Sequence, residues 1–434
     1  MRGRLFEAND RAQPQSALTG PQASFTVART DADAVEKYLP RPIEKRTGIG
    51  LCLSGGGFRA ALFHLGAARR LNELGILSQL ATISSVSGGS ILAAFMADRL
   101  RPWPEPGGVV TDWENRVSGP FRRFTSRNLR TGPILKRLLP WNWFRESTGV
   151  EALASAYRER LTPMRLRDLP DRPNFVLCAT DMAFGANWMF ERDRMGDFQA
   201  GYVGPPADWP LARSVAGSSC FPPVFNPLPV ALRPEDLTGG KMSPSSKRNE
   251  MLSDLRLTDG GNYDNLGLEP VWKTHAVVLV SDGGATFDFH SDKNLVWRLS
   301  RYAAIQANQA EAVRKRWLIA SFIKGTLQGT YWGIGTAPSR YGPGSPPVYS
   351  TLVVEDFIAE IRTDMDAFSE AESKVLENHG YLVADAAVRA HTASLVVPGS
   401  SPELRIPHPD WMDEKRVRGA LRESHRRKLP FGRY

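Results

Sequence analysis

Cysteine is scarce in this chain: Cys52, Cys178 and Cys220 are the only three among 434 residues. None belongs to a Cys-x-x-Cys pair or stands at metal-ligand spacing from a histidine. That pattern speaks against a disulfide framework and a zinc site, and it suits a reducing compartment. Long apolar runs are also missing. No stretch reaches the roughly 18 residues that would suggest a spanning helix. The opening MRGRLFEANDRAQPQ has no apolar core of a secretory leader. These absences predict a soluble, cytoplasmic protein, one able to touch a membrane only peripherally. There is no internal repeat, which removes solenoids and propellers. Acidic residues are missing from one region, between Glu114 and Glu146.

The residues that are present describe a globular protein. Apolar residues make up 42% of the chain and charged residues 23%, with a net charge of +9. The pI of about 9.5 invites an acidic partner, either nucleic acid or an anionic membrane. Residues 1–47 are polar and patternless and read as an N-terminal extension. From Ile49 onward, short apolar runs alternate with helical spacing. IGLCLS, LATISSV, NFVLCATDM, DLRLTDGG and HAVVLVSDGG are the strand candidates. Leu62, Leu65, Ala68, Leu71 and Leu74 mark a helix that Gly75 should stop, and SILAAFMADRL marks a buried one. NWMFER is a candidate hairpin partner for NFVLCATDM.

Strands alternating with helices predict an α/β fold with a mostly parallel central sheet flanked by helices on both faces. The sheet domain is expected over 48–290, with a basic, aromatic insertion at 101–147. Residues 291–434 should be mainly helical, packed on the sheet or forming a small lobe. Within them, Ser369 and Glu372 form a capping-box pattern, and Gly380 is placed as the stop of that helix.

The chemistry begins at LCLSGGGFRAALFHLG, residues 51–66, where three glycines stand between a strand and a helix. A P-loop would need a Lys-Ser/Thr pair after its last glycine, and a dinucleotide fingerprint would need G-x-G-x-x-G. Neither is present. The remaining reading is a row of exposed backbone N–H groups at a helix start, suited to negative charge. On the next strand, Ser85-Val86-Ser87-Gly88-Gly89 is one residue away from G-x-S-x-G. That motif presents a serine Oγ on a sharp strand-to-helix turn. Ser87 is the candidate nucleophile, with Ser85, Gly88 and Gly89 forming its elbow; the alternative is a plain helix N-cap.

A serine needs a base. His275, His290, His379, His391, His408 and His425 occupy no obvious catalytic loop, and His64 reads as a core histidine. Asp259, at a strand end before Gly260 and Gly261, can take the proton of Ser87 directly. Asp282, also before two glycines, competes with it. Asp181 and Asn265 read as turn-organising residues.

Taken together, GGGFR at 55–59, SVSGG at 85–89 and DGG at 259–261 resemble the patatin-like phospholipases. HLGAARRL at 64–71, CATDMAFG at 178–185 and AGSSCFPPVFNP at 216–227 add to the resemblance, which covers about residues 48–285. It implies a modified α/β-hydrolase fold and a Ser–Asp dyad of Ser87 and Asp259. Gly55, Gly56 and Gly57 would be the oxyanion hole, with Arg59 bordering it as a possible substrate-facing residue. The implied activity is lipid acyl-ester hydrolysis, of the phospholipase A or lysophospholipase type, through an acyl-serine and without metal or organic cofactor. A thioesterase or neutral-lipid acylhydrolase on the same dyad is the alternative within enzymes. A non-catalytic membrane-binding module is the alternative outside them.

The acid-free stretch interleaves Arg116, Arg122, Arg123, Arg127, Arg130, Lys136, Arg137 and Arg145 with Phe121, Phe124, Leu135, Leu138, Leu139, Trp141, Trp143 and Phe144. Positive charge with interfacial aromatics suits an anionic membrane surface. Packing of those aromatics on the sheet is the competing reading, and nucleic acid has no motif behind it.

Overall fold

Residues 49–53 are apolar on both sides of the chain, which is what a strand covered on two faces requires. The computed structural model describes residues 41, 43–142, 147–222, 224–284, 295–342, 349–400, 403–428 and 432–433. Ten strands form one sheet: β1 (Ile49–Leu53), β2 (Leu80–Val86), β3 (Asn174–Asp181), β4 (Ala186–Phe190), β5 (Met195–Asp197), β6 (Gly201–Val203), β7 (Leu228–Pro229), β8 (Arg256–Asp259), β9 (Val277–Asp282) and β10 (Gln328–Gly333). The principal helices are α1 (Gly57–Glu73), α2 (Gly88–Arg99), α3 (Gly119–Thr125), α4 (Thr131–Leu138), α5 (Thr148–Arg160), α6 (Leu211–Ser219), α7 (Ser246–Ser253), α8 (Gly261–Asp264), α9 (Leu295–Ile323), α10 (Glu370–His391) and α11 (Glu414–Leu421).

The sheet is mixed. Its order is β10-β9-β1-β2-β3-β4-β5-β6, with β8 pairing β3 and β7. The run from β10 to β3 is parallel. Beyond β3 every pairing is antiparallel, including the NWMFER hairpin strand β4. Side chains alternate between two cores. Leu51, Leu53 and Leu279 join the large cluster with α1 and α2, while Cys52, Val278 and Val280 pack with Leu318 of α9. Helices therefore cover both faces of the sheet.

The register along β3 positions the candidate site. β2 runs beside β3 until Val86 faces Cys178. β8 comes from the opposite direction, and Asp259 faces Ala179. β4 occupies the other side of β3 over Leu177 to Asp181. β2 and β8 therefore lie end to end on one side of β3, and their last residues meet there.

The part after residue 290 is built into the same unit. β10 pairs with β9 in register, and Arg41–Tyr434 is one unit. Ser369 accepts from the Glu372 N–H, and the Glu372 side chain accepts from the Ser369 N–H, closing the expected capping box. Gly75, at φ 69°, ends α1 as expected.

Gly380 does not stop its helix, which corrects the sequence reading. α10 continues to His391. Gly380 instead marks the crossing with α1. A Cβ there would lie 1.9 Å from the Phe63 carbonyl oxygen, and one on Gly66 would lie 1.9 Å from the Glu377 carbonyl oxygen. The missing side chains let two backbones touch.

Gly380→Ala should therefore destabilise the protein by about 2 kcal/mol, as overpacking of a close contact does. On an exposed helix the same change would stabilise by about 1 kcal/mol. Urea unfolding gives the sign, and a gain would mean that the helices are not in backbone contact.

Candidate active site

The turn after β2 is strained. Ser87 adopts φ 49° and ψ −113°, the only positive φ outside glycine among the described residues. Such a conformation costs on the order of 1–3 kcal/mol and persists only where its surroundings enforce it. Here a cluster of serines does so. The Ser87 N–H donates to Ser218 Oγ at 3.0 Å, and Ser218 Oγ donates to the Cys178 carbonyl at 2.6 Å. Ser90 Oγ lies 3.0 Å from Ser85 Oγ and 2.9 Å from Ser218 Oγ. Ser85, standing where G-x-S-x-G has glycine, donates its hydroxyl to the Val176 carbonyl at 3.2 Å.

Close approaches explain the neighbouring glycines. A Cβ on Gly88 would sit 2.1 Å from the Gly57 carbonyl oxygen, and one on Gly89 would sit 2.3 Å from that of Leu53. The elbow thus lies directly against the glycine loop. Gly56 and Gly57 have φ of 137° and 58°, values that side chains resist. Among the described residues, their N–H groups have no hydrogen-bond acceptor.

Gly55 differs, and the reading of three equivalent donors is corrected. Its N–H donates to the Asn265 carbonyl at 3.0 Å. Gly55 anchors the loop, leaving Gly56 and Gly57 as the candidate donors.

Asp259 is buried beside the elbow. Its carboxylate accepts from the Gly261 N–H at 2.8 Å, and the Ser87 side chain lies near enough to favour its charged form. Burial pushes its pKa up to about 6, against the lowering effect of the Gly261 N–H and the Ser87 side chain. A carboxyl of this kind can accept a proton near neutral pH and give it back. Asp282 is engaged elsewhere. It pairs with Lys315 at 2.6 Å, and it accepts from the Tyr331 hydroxyl at 2.6 Å and the Gly284 N–H at 2.9 Å.

Arg59 is turned into the protein interior, against the substrate-facing expectation. It is buried and donates to the carbonyls of Ala359 (3.0 Å), Ile361 (2.8 Å) and Gly283 (3.0 Å). It ties the start of α1 to two distant loops. The loop has a second tie, from the Phe58 N–H to the Asp364 carbonyl at 2.9 Å.

Asp181 organises the turn after β3, where its Oδ1 accepts from Ala183 and Phe184. His64 is a core residue, 2.7 Å from Ser281 Oγ and 3.0 Å from the Ser54 carbonyl; burial lowers its pKa to about 4. His275 bonds Thr82, His379 bonds the Ile334 carbonyl, and His408 bonds Glu377. His290 lies outside the described residues.

The acid-free stretch divides. Phe121 and Phe124 are buried in the core. Arg122 pairs with Glu114 and Glu377, and Arg130 pairs with Asp364. Leu135, Leu139 and Trp141 are exposed, Trp141 by 70%. Trp143, Phe144 and Arg145 lie outside the described residues. Among the described residues, no His, Cys, Asp and Glu cluster could hold a metal ion, and no helix is long and apolar enough to cross a membrane.

Sequence reasoning passed over Ser90 and Ser218, which brace the elbow, and gave Asn265 only a turn. Serine-rich SGGSI and AGSSC were visible, but their meeting across β3 was not.

An α/β sheet carrying a serine in a strained strand-to-helix turn, beside a strand-end carboxylate, has the geometry of a nucleophile elbow. The patatin-like phospholipase family model matches residues 51–272, just over half of the chain, and the protein belongs to that family. Among curated proteins no sequence matches the chain. Solved structures similar to it include human GIVD cytosolic phospholipase A2, with TM-score 0.47 and 11% identity over 88% of this chain and 63% of that one. VipD from Legionella pneumophila has TM-score 0.32 and 14% identity over 80% of this chain and 67% of that one. The chain thus spans less than two thirds of the human protein.

The folded pKa of Asp259, about 6, lies above its ordinary value of 3.8. Its contribution to stability is therefore present at low pH and lost as pH rises through about 6. Asp259→Asn, which resembles the protonated form, should stabilise the protein at pH 8 by up to about 3 kcal/mol. The gain should fade toward pH 4. Thermal unfolding at both pH values tests this, and an equal change at both would exclude buried charge as the cause.

Proposed function

We propose that this protein is a lipid acyl-ester hydrolase, of the phospholipase A or lysophospholipase type, working through Ser87 and Asp259. One observation carries the reading. The strained Ser87 stands beside a buried carboxylate whose pKa burial raises to about 6, with two unengaged backbone donors next to it. Family membership supports the substrate class.

In this mechanism Asp259 takes the Ser87 hydroxyl proton as Oγ attacks the ester carbonyl. The N–H groups of Gly56 and Gly57 receive the oxyanion, and each such donor is typically worth about 3 kcal/mol. Collapse breaks the ester bond. The leaving alcohol takes the proton from the carboxyl of Asp259 and departs, leaving an acyl-serine. Water then gives a proton to Asp259 and attacks the acyl carbon, and a second collapse returns that proton to Ser87 Oγ and releases the fatty acid. These steps draw on side chains and backbone alone.

A fluorophosphonate probe should label the wild type and leave Ser87→Ala unlabelled. Hydrolysis should fall about tenfold per pH unit below roughly pH 6, as Asp259 becomes protonated. Labelling that persists in Ser87→Ala would sink the assignment. Mass spectrometry of lipid products identifies the acyl carrier.

We further propose that the protein is cytoplasmic, as three buried free cysteines suit, and that it meets anionic membrane peripherally. The exposed Leu135, Leu139 and Trp141, beside the basic Lys136, support this part of the 116–145 reading. Sedimentation with anionic vesicles should weaken severalfold in Trp141→Ser and with added salt. Equal sedimentation with neutral vesicles would remove the electrostatic part.

A further inference from the structure

Two side chains of α9 reach the candidate site from outside the segment that the family model matches. Glu311 and Lys315 stand one helical turn apart and pair at 2.5 Å. Each also holds one flank of the glycine loop. Glu311 accepts from Asn265 Nδ2 at 3.3 Å. Asn265 holds Gly55 through its carbonyl, and its Oδ1 fills the space that a Cβ on Gly55 or Gly261 would need, at 2.3 Å and 2.8 Å. Gly261 is also the residue whose N–H binds Asp259. The Glu311 branch therefore touches the loop and the acid turn together.

The Lys315 branch reaches the other flank. Lys315 pairs with Asp282 at 2.6 Å, and Asp282 opens the loop of Gly283 and Gly284. The Gly283 carbonyl lies 2.7 Å from where a Cβ on Gly56 would stand, and it accepts from Arg59. The Gly283 N–H donates to Ser54 Oγ at 2.8 Å, one residue before the glycines. A cavity of about 360 Å³ lies alongside, lined by Asp282, Glu311, Lys315, Tyr331 and Thr336. On that open side, the Glu311 and Lys315 ion pairs bound the loops that close packing holds elsewhere.

We propose that Glu311 and Lys315 are positioning residues that hold Gly56 and Gly57 at the correct distance from Ser87. This rests on the hydrolase reading above. A donor must sit within hydrogen-bond distance of the developing oxyanion, and a shift of about 1 Å in a reacting group can cost on the order of a hundredfold in rate. Neither side chain touches substrate. Both act through backbone, by way of Asn265 and of Asp282 with Gly283.

The test measures soluble-ester hydrolysis by the full chain. Glu311→Ala and Lys315→Ala should each lower kcat about tenfold with KM within about twofold, since the donors act mainly in the transition state. Glu311→Gln, which keeps an acceptor for Asn265, should recover most of the rate. The acid limb near pH 6 should stay in place, because neither residue acts directly on the Asp259 carboxyl. Wild-type kcat in both alanine variants would overturn the proposal, as would a lower melting temperature with kcat intact. Amide hydrogen exchange over residues 54–60 gives a second readout that needs no turnover. Exchange should quicken in both alanine variants, and unchanged exchange overturns the positioning role even if the chain hydrolyses nothing. An inactive wild type with the expected exchange change would instead count against the hydrolase reading alone.

Discussion

The end-to-end meeting of β2 and β8 on one side of β3 is the constraint on which the candidate site depends. Val86 faces Cys178, and Asp259 faces Ala179, the next residue along. Strand register is set by backbone hydrogen bonds and by which face is buried, and a slip of one residue would turn every side chain over. Two residues far apart in sequence are thereby held at adjacent positions of a rigid sheet. The proximity of Ser87 to Asp259 follows from that register and needs no flexible loop to bring it about.

Backbone contact supplies the rest of the geometry. Gly88 against Gly57, Gly89 against Leu53, Gly56 against Gly283 and Gly57 against Asp364 are all separations too short for a side chain. The elbow, the glycine loop and two later loops form one block of backbone. Arg59 and Asn265 fill its gaps with hydrogen bonds, so an arginine that sequence reading placed toward a substrate is a brace. Its charge is stabilised by carbonyl dipoles, although burial lowers its pKa to about 10.

Electrostatics separates the two competing aspartates. Both end an apolar strand and precede Gly-Gly, so local sequence treats them alike. Burial acts on both. Asp259 has only the Gly261 N–H and the nearby Ser87 side chain to offset it and keeps a raised pKa, whereas Asp282 has the Lys315 ammonium and is held below its ordinary value despite burial. A carboxylate neutralised by lysine is a poor base, while one left near pH 6 can exchange a proton with serine. The difference comes from α9, a helix with no sequence motif of its own.

Much of this was legible in the sequence. The alternation of strand and helix, the glycine stop at Gly75, the capping box of Ser369 and Glu372, and the buried α2 were all visible. Each expresses a local rule about backbone conformation or hydrophobic period. What the sequence by itself determined is this set of local elements and the family to which they belong. Tertiary structure alone decided which N–H groups remain unengaged, that Gly380 marks a helix crossing rather than a helix end, that Arg59 faces inward, and that Ser90 and Ser218 brace the elbow. Those outcomes depend on which backbones come within contact distance after the sheet has formed, and no periodicity along the chain records a distance across it.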